Sequence, residues 1–208
     1  MTSPYPPGPW TRRPNVALAA LLVTGVMASL ATKDPATVWD LDLVAYLTAT
    51  AVLVGIVLTR PPAAAADTRW WVLLVCGGSL CYPLAYRPAE TTVPAYADLL
   101  WWGRVSLHLV ADIGLITLGH SFAILPALRG VRTRLMYSIV RHPVYTLYLS
   151  ADLVFLLLQP SPWNGFVAVI GTASFVIRAE LEEQVLVTSP TYQEYVRRVR
   201  WKFVPGVY

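Results

Sequence analysis

Long apolar runs alternate with short polar breaks along most of this chain. Six runs, nearly free of charged residues, cover positions 15–31, 41–59, 70–86, 97–121, 143–159 and 163–179. Each run is close to the ~17–25 residues that a helix needs to cross a bilayer. The breaks carry charges and turn residues, as in KDPATVWD, RPAETTVP and QPSPWN. The pattern predicts an all-α polytopic membrane protein with about six transmembrane helices.

The composition supports the membrane prediction. The length of 208 residues suits one ordinary domain, but 56% hydrophobic and 13% charged residues do not suit a soluble one. The mean hydropathy of +0.53 points the same way. Eight Trp and eleven Tyr are also typical of a chain with two bilayer interfaces to anchor.

The positions of the basic residues predict the topology. With the N-terminus in the cytoplasm, only Lys33 and Arg87 of the sixteen Lys and Arg residues fall outside, and Arg104 lies within the fourth run. The other thirteen are then cytoplasmic: Arg12, Arg13, Arg60, Arg69, Arg129, Arg132, Arg134, Arg141, Arg178, Arg197, Arg198, Arg200 and Lys202. This bias follows the positive-inside rule. It predicts an integral membrane protein with both termini in the cytoplasm, the lipid bilayer as a partner and no nucleic-acid partner.

The N-terminal region has two features of its own. Residues 1–14 are rich in proline and lack periodicity, so we expect a flexible cytosolic arm. The Arg12–Arg13 pair, an apolar run and Ala28-Ser-Leu-Ala31 also loosely resemble a signal peptide. Cleavage there would leave five spans and the same remaining topology.

Two long stretches are expected in the cytoplasm, 122–142 and everything after about 179. The second contains apolar residues at helical spacing beside basic ones, which predicts a short amphipathic helix on the membrane surface. Its apolar residues are Tyr192, Tyr195, Val196, Val199 and Phe203. We therefore divide the chain into an arm (1–14), four transmembrane helices (15–121) and a C-terminal region with two more (122–208).

The residues that indicate a chemistry all lie in the C-terminal region. They are Gly119-His-Ser-Phe122, Pro126-Ala-Leu-Arg129, Tyr137-Ser-Ile-Val-Arg141-His142-Pro143-Val-Tyr145, Arg178-Ala-Glu180-Leu-Glu182-Glu183, Tyr192-Gln-Glu-Tyr195 and Trp201-Lys-Phe-Val-Pro205. This ordered set, over roughly residues 118–208, resembles the isoprenylcysteine carboxyl methyltransferases and the related phospholipid methyltransferases. The chain departs from that pattern at Leu135-Met136, where the family has Gly-Pro, and in lacking a Phe-Gly before Tyr192.

The resemblance implies an S-adenosylmethionine-dependent enzyme that releases S-adenosylhomocysteine. Its cofactor pocket would face the cytosol, between the 122–142 loop and the C-terminal tail. The family pattern assigns this pocket to Tyr137, Val140, Arg141, His142, Pro143, Tyr145, Glu182 and Glu183. The implied acceptor is lipophilic or prenylated and embedded in the membrane.

The chemical properties of these residues suit methyl transfer even when the family resemblance is left aside. Pro143 suits the first turn of a helix, whose free N–H groups can bind the carboxylate of the cofactor. Methyl transfer to a carboxylate needs alignment, which Arg178 or Arg141 can supply with a planar fork. An amine acceptor would need a base, and Glu182 or Glu183 can supply one. We therefore expect carboxyl O-methylation with Arg178, Arg141 and Glu183 as catalytic residues, and lipid amine N-methylation is the alternative. These residues could also have a purely structural role. In that alternative, Glu180, Glu182 and Glu183 form a solvated helix end, and Tyr137 and Tyr145 lie at the membrane interface.

Charged residues within the apolar runs are costly and need an explanation. Arg104, His108 and Asp112 recur every four residues, and Asp152 lies at a similar depth in the fifth run. They form either a network that joins helices or, with Arg178, a lining for the polar part of the acceptor. A function of another class, a small proton- or ion-coupled transporter, would use the same Arg104, His108, Asp112 and Asp152. The three histidines have no partners at ligand spacing, so no metal site is predicted, and the sequence leaves the oligomeric state open.

Overall fold

The computed structural model describes residues 12–31, 41–59, 63–89 and 95–207, which form a mostly helical protein. The α-helices in these ranges are α1 (Arg12–Ala31), α2 (Leu41–Thr59), α3 (Trp70–Cys81), α4 (Ala97–Leu118), α5 (Pro143–Leu158), α6 (Pro162–Leu186) and α7 (Pro190–Arg198). Short 3-10 helices cover Tyr82–Ala85, Gly119–Ser121 and Leu135–Ser138. Helices α1 to α6 fall on the six apolar runs, and α7 falls on the predicted amphipathic segment.

Two predicted boundaries are wrong. Helix α1 begins at Arg12, so the last three residues of the predicted flexible arm are helical. Helix α6 continues to Leu186 instead of ending near residue 179, because Ala179, Leu181 and Val185 are buried and extend its packing surface. Arg178, which we expect at the cytosolic end of the sixth run, therefore lies well inside the helix.

A small sheet departs from the all-α prediction. Ala65–Ala66 (β1) pairs antiparallel with Ala127–Leu128 (β2), with Ala65 opposite Leu128. Buried alanines on both sides, Ala63, Ala66 and Ala127, let the two segments approach closely. The pairing joins the segment before α3 to the loop that follows α4.

The core runs through the middle of the helix bundle. Helix α4 packs against α5 and α2, and α3 packs against α6. Part of the loop that we expected to lie in the cytoplasm is also core, because Ile124 and Leu125 are fully buried. The segment after α4 is therefore packed into the hydrophobic core of the protein.

Two glycines permit close packing between elements. A Cβ at Gly114 of α4 would lie 2.6 Å from Val144 Cγ2 of α5. A Cβ at Gly171 of α6 would lie 2.4 Å from the ring of Tyr82. Real Cβ atoms do not come so close, so any larger residue at either position would push the packed elements apart.

Two helical stretches are long and apolar enough to cross a membrane, Ala97–Ser121 and Pro162–Leu186. Shorter apolar helices cover Leu47–Thr59, Trp70–Ala85 and Pro143–Leu158. The outward side of α4 exposes large apolar side chains, namely Leu99, Trp102, Leu109, Ile113 and Ile116. The predictions for residues 1–11, Lys33 and Arg60 lie outside the described residues.

Candidate functional site

The start of α5 is joined to the C-terminal tail through backbone hydrogen bonds. Pro143 occupies the first turn, and His142 precedes it without a side-chain cap. The N–H of Arg141 donates to Trp201 O and that of His142 to Lys202 O, both at 2.9 Å. These bonds place the Arg-His-Pro element directly beside the tail, two stretches of chain that the sequence separates by about sixty residues.

Glu183, near the end of α6, joins three parts of the site. Its Oε1 accepts from Arg141 Nε at 2.7 Å and lies 3.1 Å from His142 Nε2. Its Oε2 lies 3.3 Å from Arg141 Nη2 and 3.4 Å from Lys202 Nζ. Lys202 also pairs with Glu180. Both oxygens of Glu183 are therefore occupied by cationic partners, and the side chain fastens the start of α5 and the tail to α6.

Glu182 has a different environment. Its Oε1 accepts from the hydroxyl of Tyr145 and, at 3.0 Å, from Arg178 Nε. Its Oε2 lies 3.9 Å from His142 Nδ1 and accepts no hydrogen bond from the described part of the chain. The rings of His142 and Tyr145 are stacked, with centroids 5.4 Å apart. One oxygen of Glu182 thus remains available to a ligand.

These side chains surround a small cavity, here called the polar cleft. Its volume is about 100 Å³, and Tyr137, Arg141, His142, Tyr145 and Glu182 contribute to its lining. The loop after α4 and helix α7 close it with Ser121, Phe122, Ala127, Val131, Tyr192 and Tyr195. Of the residues predicted for the cofactor, Val140, Pro143 and Glu183 do not line the cleft.

Helix α7 covers the polar cleft with its apolar side. Tyr192 and Tyr195 are buried against Val131 and Leu186, so this side faces the protein and not the membrane surface that the amphipathic pattern predicted. Burial raises the pKa of both phenols, which therefore stay protonated. Tyr195 uses its proton to donate to Tyr137 O at 2.7 Å.

Arg178 is 1% exposed and connects three elements. Its Nε donates to Glu182, its Nη1 to Ser79 Oγ at 3.1 Å and its Nη2 to Ala123 O at 3.0 Å. A guanidinium has five N–H groups, so one on each terminal nitrogen has no partner among the described residues. Arg178 lies outside the polar cleft and lines a second, larger cavity.

This second cavity, here called the chamber, has a volume of about 490 Å³. Helices α1 to α6 all contribute to it, through residues that include Val26, Thr50, Leu53, Ser79, Asp152, Phe175 and Arg178. Leu115, Phe122, Val144 and Tyr145 line both cavities. The chamber and the polar cleft are therefore neighbours separated by a wall of four side chains.

About two helical turns from this wall the chamber is polar, and this part is here called its polar end. Arg104, His108 and Asp152 line it, as do Tyr82 and Tyr86. The hydroxyl of Tyr82 donates to Asp152 Oδ2, and the guanidinium carbon of Arg104 lies 4.7 Å from the ring centroid of Phe155. The structure thus brings three of the four predicted polar residues together, namely Arg104, His108 and Asp152.

Asp112 is the exception among the predicted stripe. It is buried but does not line the chamber, and neither carboxylate oxygen has a hydrogen-bond partner in the described residues.

Several residues of the site were not predicted. Ser79, Tyr82 and Tyr86 belong to no motif, and only folding brings them into contact with predicted residues. Lys202 lies in the Trp201–Pro205 motif, but the sequence assigned it no role. No protein-family model matches the chain, and neither a curated protein nor a solved structure is significantly similar to it.

Proposed function

We propose that this chain is a membrane-integral methyltransferase, similar to the isoprenylcysteine carboxyl methyltransferases, that uses S-adenosylmethionine to methylate a lipophilic carboxylate. The observation that carries the proposal is the pair of adjoining cavities. One is small and lined by charged and aromatic side chains, and the other is large and extends among the helices. A polar donor and a lipophilic acceptor need such adjoining compartments, and the side chains of the shared wall must move aside so that the methyl group and the acceptor oxygen come into contact.

The exposed apolar side chains support a membrane location for the whole bundle. A soluble protein rarely exposes a continuous apolar stripe of the kind that α4 carries. We propose that α1 to α6 all cross the bilayer and that the polar cleft opens to the cytosol, where the cofactor is made. The basic residues beside the cleft, including Arg132, Arg134, Arg197 and Arg200, suit that side.

The residues of the polar cleft fit the cofactor chemically. Glu182 Oε2 can accept from a ribose hydroxyl or from the ammonium of the methionine portion. Arg141 and His142 provide positive charge for its carboxylate, and the ring of Tyr137 can cover the adenine. The cleft volume is below the ~300–1,000 Å³ of ordinary small-molecule sites. We therefore propose that α7 or the loop after α4 moves outward when the cofactor enters.

The acceptor would lie in the chamber with its carboxylate at Arg178. The two unused N–H groups of Arg178 can orient a carboxylate, and Ser79 and Glu182 hold the guanidinium in place. The bound cofactor supplies a methyl group on a positively charged sulfur, and transfer forms the new C–O bond as the C–S bond breaks, leaving the electron pair on sulfur. A carboxylate acceptor loses no proton, so the protein needs no general base.

The contacts of Glu182 and Glu183 favour a carboxylate over an amine as the acceptor. An amine would have to pass a proton to a base, and Arg178 and Tyr145 already donate to Oε1 of Glu182. Both oxygens of Glu183 are likewise bound by cations. Glu183 therefore has no free oxygen for a proton, and the one free oxygen of Glu182 is the oxygen that we assign to the cofactor.

Calorimetry of S-adenosylhomocysteine binding to the detergent-purified protein tests the proposal. We expect binding by the wild type, weakened about tenfold by Glu182→Gln and by His142→Ala, each of which removes a charged or polar contact of the cleft. Glu194→Gln and His120→Ala are matched controls, because Glu194 and His120 are exposed and do not line the cleft.

Each result has a clear meaning. Absence of binding by folded wild-type protein would overturn the cofactor proposal and favour the transporter, which uses the polar end of the chamber and not the cleft. Equal weakening by the control variants would show that binding is not located at the cleft. Thermal unfolding of every variant verifies that it is folded.

A further inference from the structure

The polar end of the chamber is unexpected in a cavity that receives a lipid tail. A purely hydrocarbon ligand would gain nothing from the charged and hydroxyl-bearing side chains there and would separate them from water. Burial of polar groups without hydrogen bonds is costly. The ligand that fills the chamber must therefore satisfy these groups or leave water beside them.

Two groups at this end have unused hydrogen-bonding capacity. His108 Nδ1 is buried and has no hydrogen-bond partner among the described residues. Tyr86 Oη is close enough to Asp152 to interact with it, yet it has no hydrogen-bond partner of suitable distance and angle in the described part of the chain. Both residues line the chamber. The two atoms themselves have almost no accessible surface, so a ligand reaches this hydroxyl and this ring nitrogen when the two side chains turn toward the chamber.

The charges at this end oppose each other. Arg104 and Asp152 are close enough to interact, and Asp152 accepts the hydroxyl proton of Tyr82. A ligand with a full charge would disturb this balance, whereas a neutral oxygen would not. A hydroxyl group fits best, because it can donate to one of these side chains and accept from another.

The distance between the shared wall and Asp152 follows from α5. Tyr145 belongs to the wall shared with the polar cleft, and Asp152 lies seven residues further along the same helix. At ~1.5 Å per residue, the polar end is about 10 Å from the wall where the methyl group would be transferred. Ligand groups that contact the wall and the side chains around Asp152 must have a similar separation.

We infer that the acceptor is polar at two points: a lipophilic carboxylic acid that carries a neutral oxygen function, a hydroxyl in the simplest case, about 10 Å from its carboxylate. The inference rests on the proposed function for the carboxylate end. Tyr86 and His108 are then specificity-determining residues that bind the distal oxygen. Arg178 binds the carboxylate.

Two probes that differ by one hydroxyl test this inference, ω-hydroxydecanoic acid and decanoic acid. Binding of each to the full-length protein in nanodiscs is measured by calorimetry, with S-adenosylhomocysteine binding measured on the same samples. We expect the hydroxy acid to bind about tenfold more tightly, because the plain chain leaves buried polar groups without partners. Tyr86→Phe should reduce this preference to about twofold. Tyr96→Phe should leave it unchanged, because Tyr96 is 61% exposed and does not line the chamber.

The outcomes separate the two proposals. Equal binding of the two acids, or binding of neither, by folded wild-type protein overturns the inference and means that the polar end holds water. A preference that Tyr86→Phe and Tyr96→Phe leave equally intact also overturns it. If the preference appears and depends on Tyr86 but S-adenosylhomocysteine does not bind, the distal subsite stands and the methyltransferase proposal falls.

Discussion

Arg178 shows how one buried residue can serve both stability and function. Its three hydrogen bonds reach α3, the loop after α4 and its own helix, so it fixes the relative positions of these elements. Glu182 balances its charge within one helical turn. A buried cation without such partners would strongly destabilise the fold. Only the planar guanidinium has donors that reach all three partners at once.

Replacement of Arg178 by lysine should therefore be severe although it retains the charge. An ammonium group cannot reach Ser79, Ala123 O and Glu182 at once, so we expect Arg178→Lys to lower the free energy of unfolding by about 3 kcal/mol. Ser79→Ala removes only one of these bonds and should lower it by about 1 kcal/mol. Chemical unfolding in detergent micelles measures both. Equal effects of the two substitutions would show that Arg178 does not connect the three elements as described.

The neighbouring carboxylates Glu182 and Glu183 differ in a way that no sequence pattern reveals. The ordered motif groups Arg141, His142 and Glu183, and the structure brings their side chains into contact. It could not tell which carboxylate retains a free oxygen, because that depends on Lys202 and Tyr145 arriving from distant parts of the chain.

At the scale of elements, the sequence predicted the helices well because apolar length and proline or charged breaks are local properties. The apolar run stops at residue 179 and so ends before α6 does, and the burial of Arg178 depends on tertiary partners that no local pattern shows. The small sheet has only two residue pairs, too few to give an alternating pattern. The chamber could not be predicted either, because it results from the packing of six helices.

Helix α7 is the element that we expect to respond to the cofactor. It covers the polar cleft and is fastened by the Tyr195 hydroxyl to Tyr137 O. Once S-adenosylhomocysteine fills the cleft, Tyr192 and Tyr195 should contact it, and the amides of residues 190–200 should exchange with deuterium more slowly. Tyr195→Phe should raise exchange in the same residues without ligand, because one bond that holds the helix is lost.

Hydrogen-exchange mass spectrometry measures both changes. The turn between α5 and α6 is an internal reference. Its residues 159–161 lie at the end of α5 opposite to the cleft and do not line it. Slower exchange in that turn and not in α7 would contradict a covering role for α7.

At the scale of the whole molecule, the central question is how many helices cross the bilayer. Helix α5 has 16 residues and is about 24 Å long, shorter than the ~30 Å hydrocarbon core. It nevertheless packs along α4, which is long enough to span. Local thinning of the bilayer and helix tilt accommodate a mismatch of this size at modest cost. We therefore expect α5 to cross together with α4 and α6.

Residues 89 and 194 distinguish three crossings from two, because α4, α5 and α6 lie between them. In a background with Cys76→Ala and Cys81→Ala, an impermeant maleimide should label the Ala89→Cys variant in intact cells. It should label the Glu194→Cys variant only after permeabilisation, since three crossings put these positions on opposite sides. Labelling of both positions from the same side would mean that α5 does not span. The start of α5 would then not meet the membrane surface as proposed, and the polar cleft could not combine a cytosolic cofactor with an acceptor held within the bilayer.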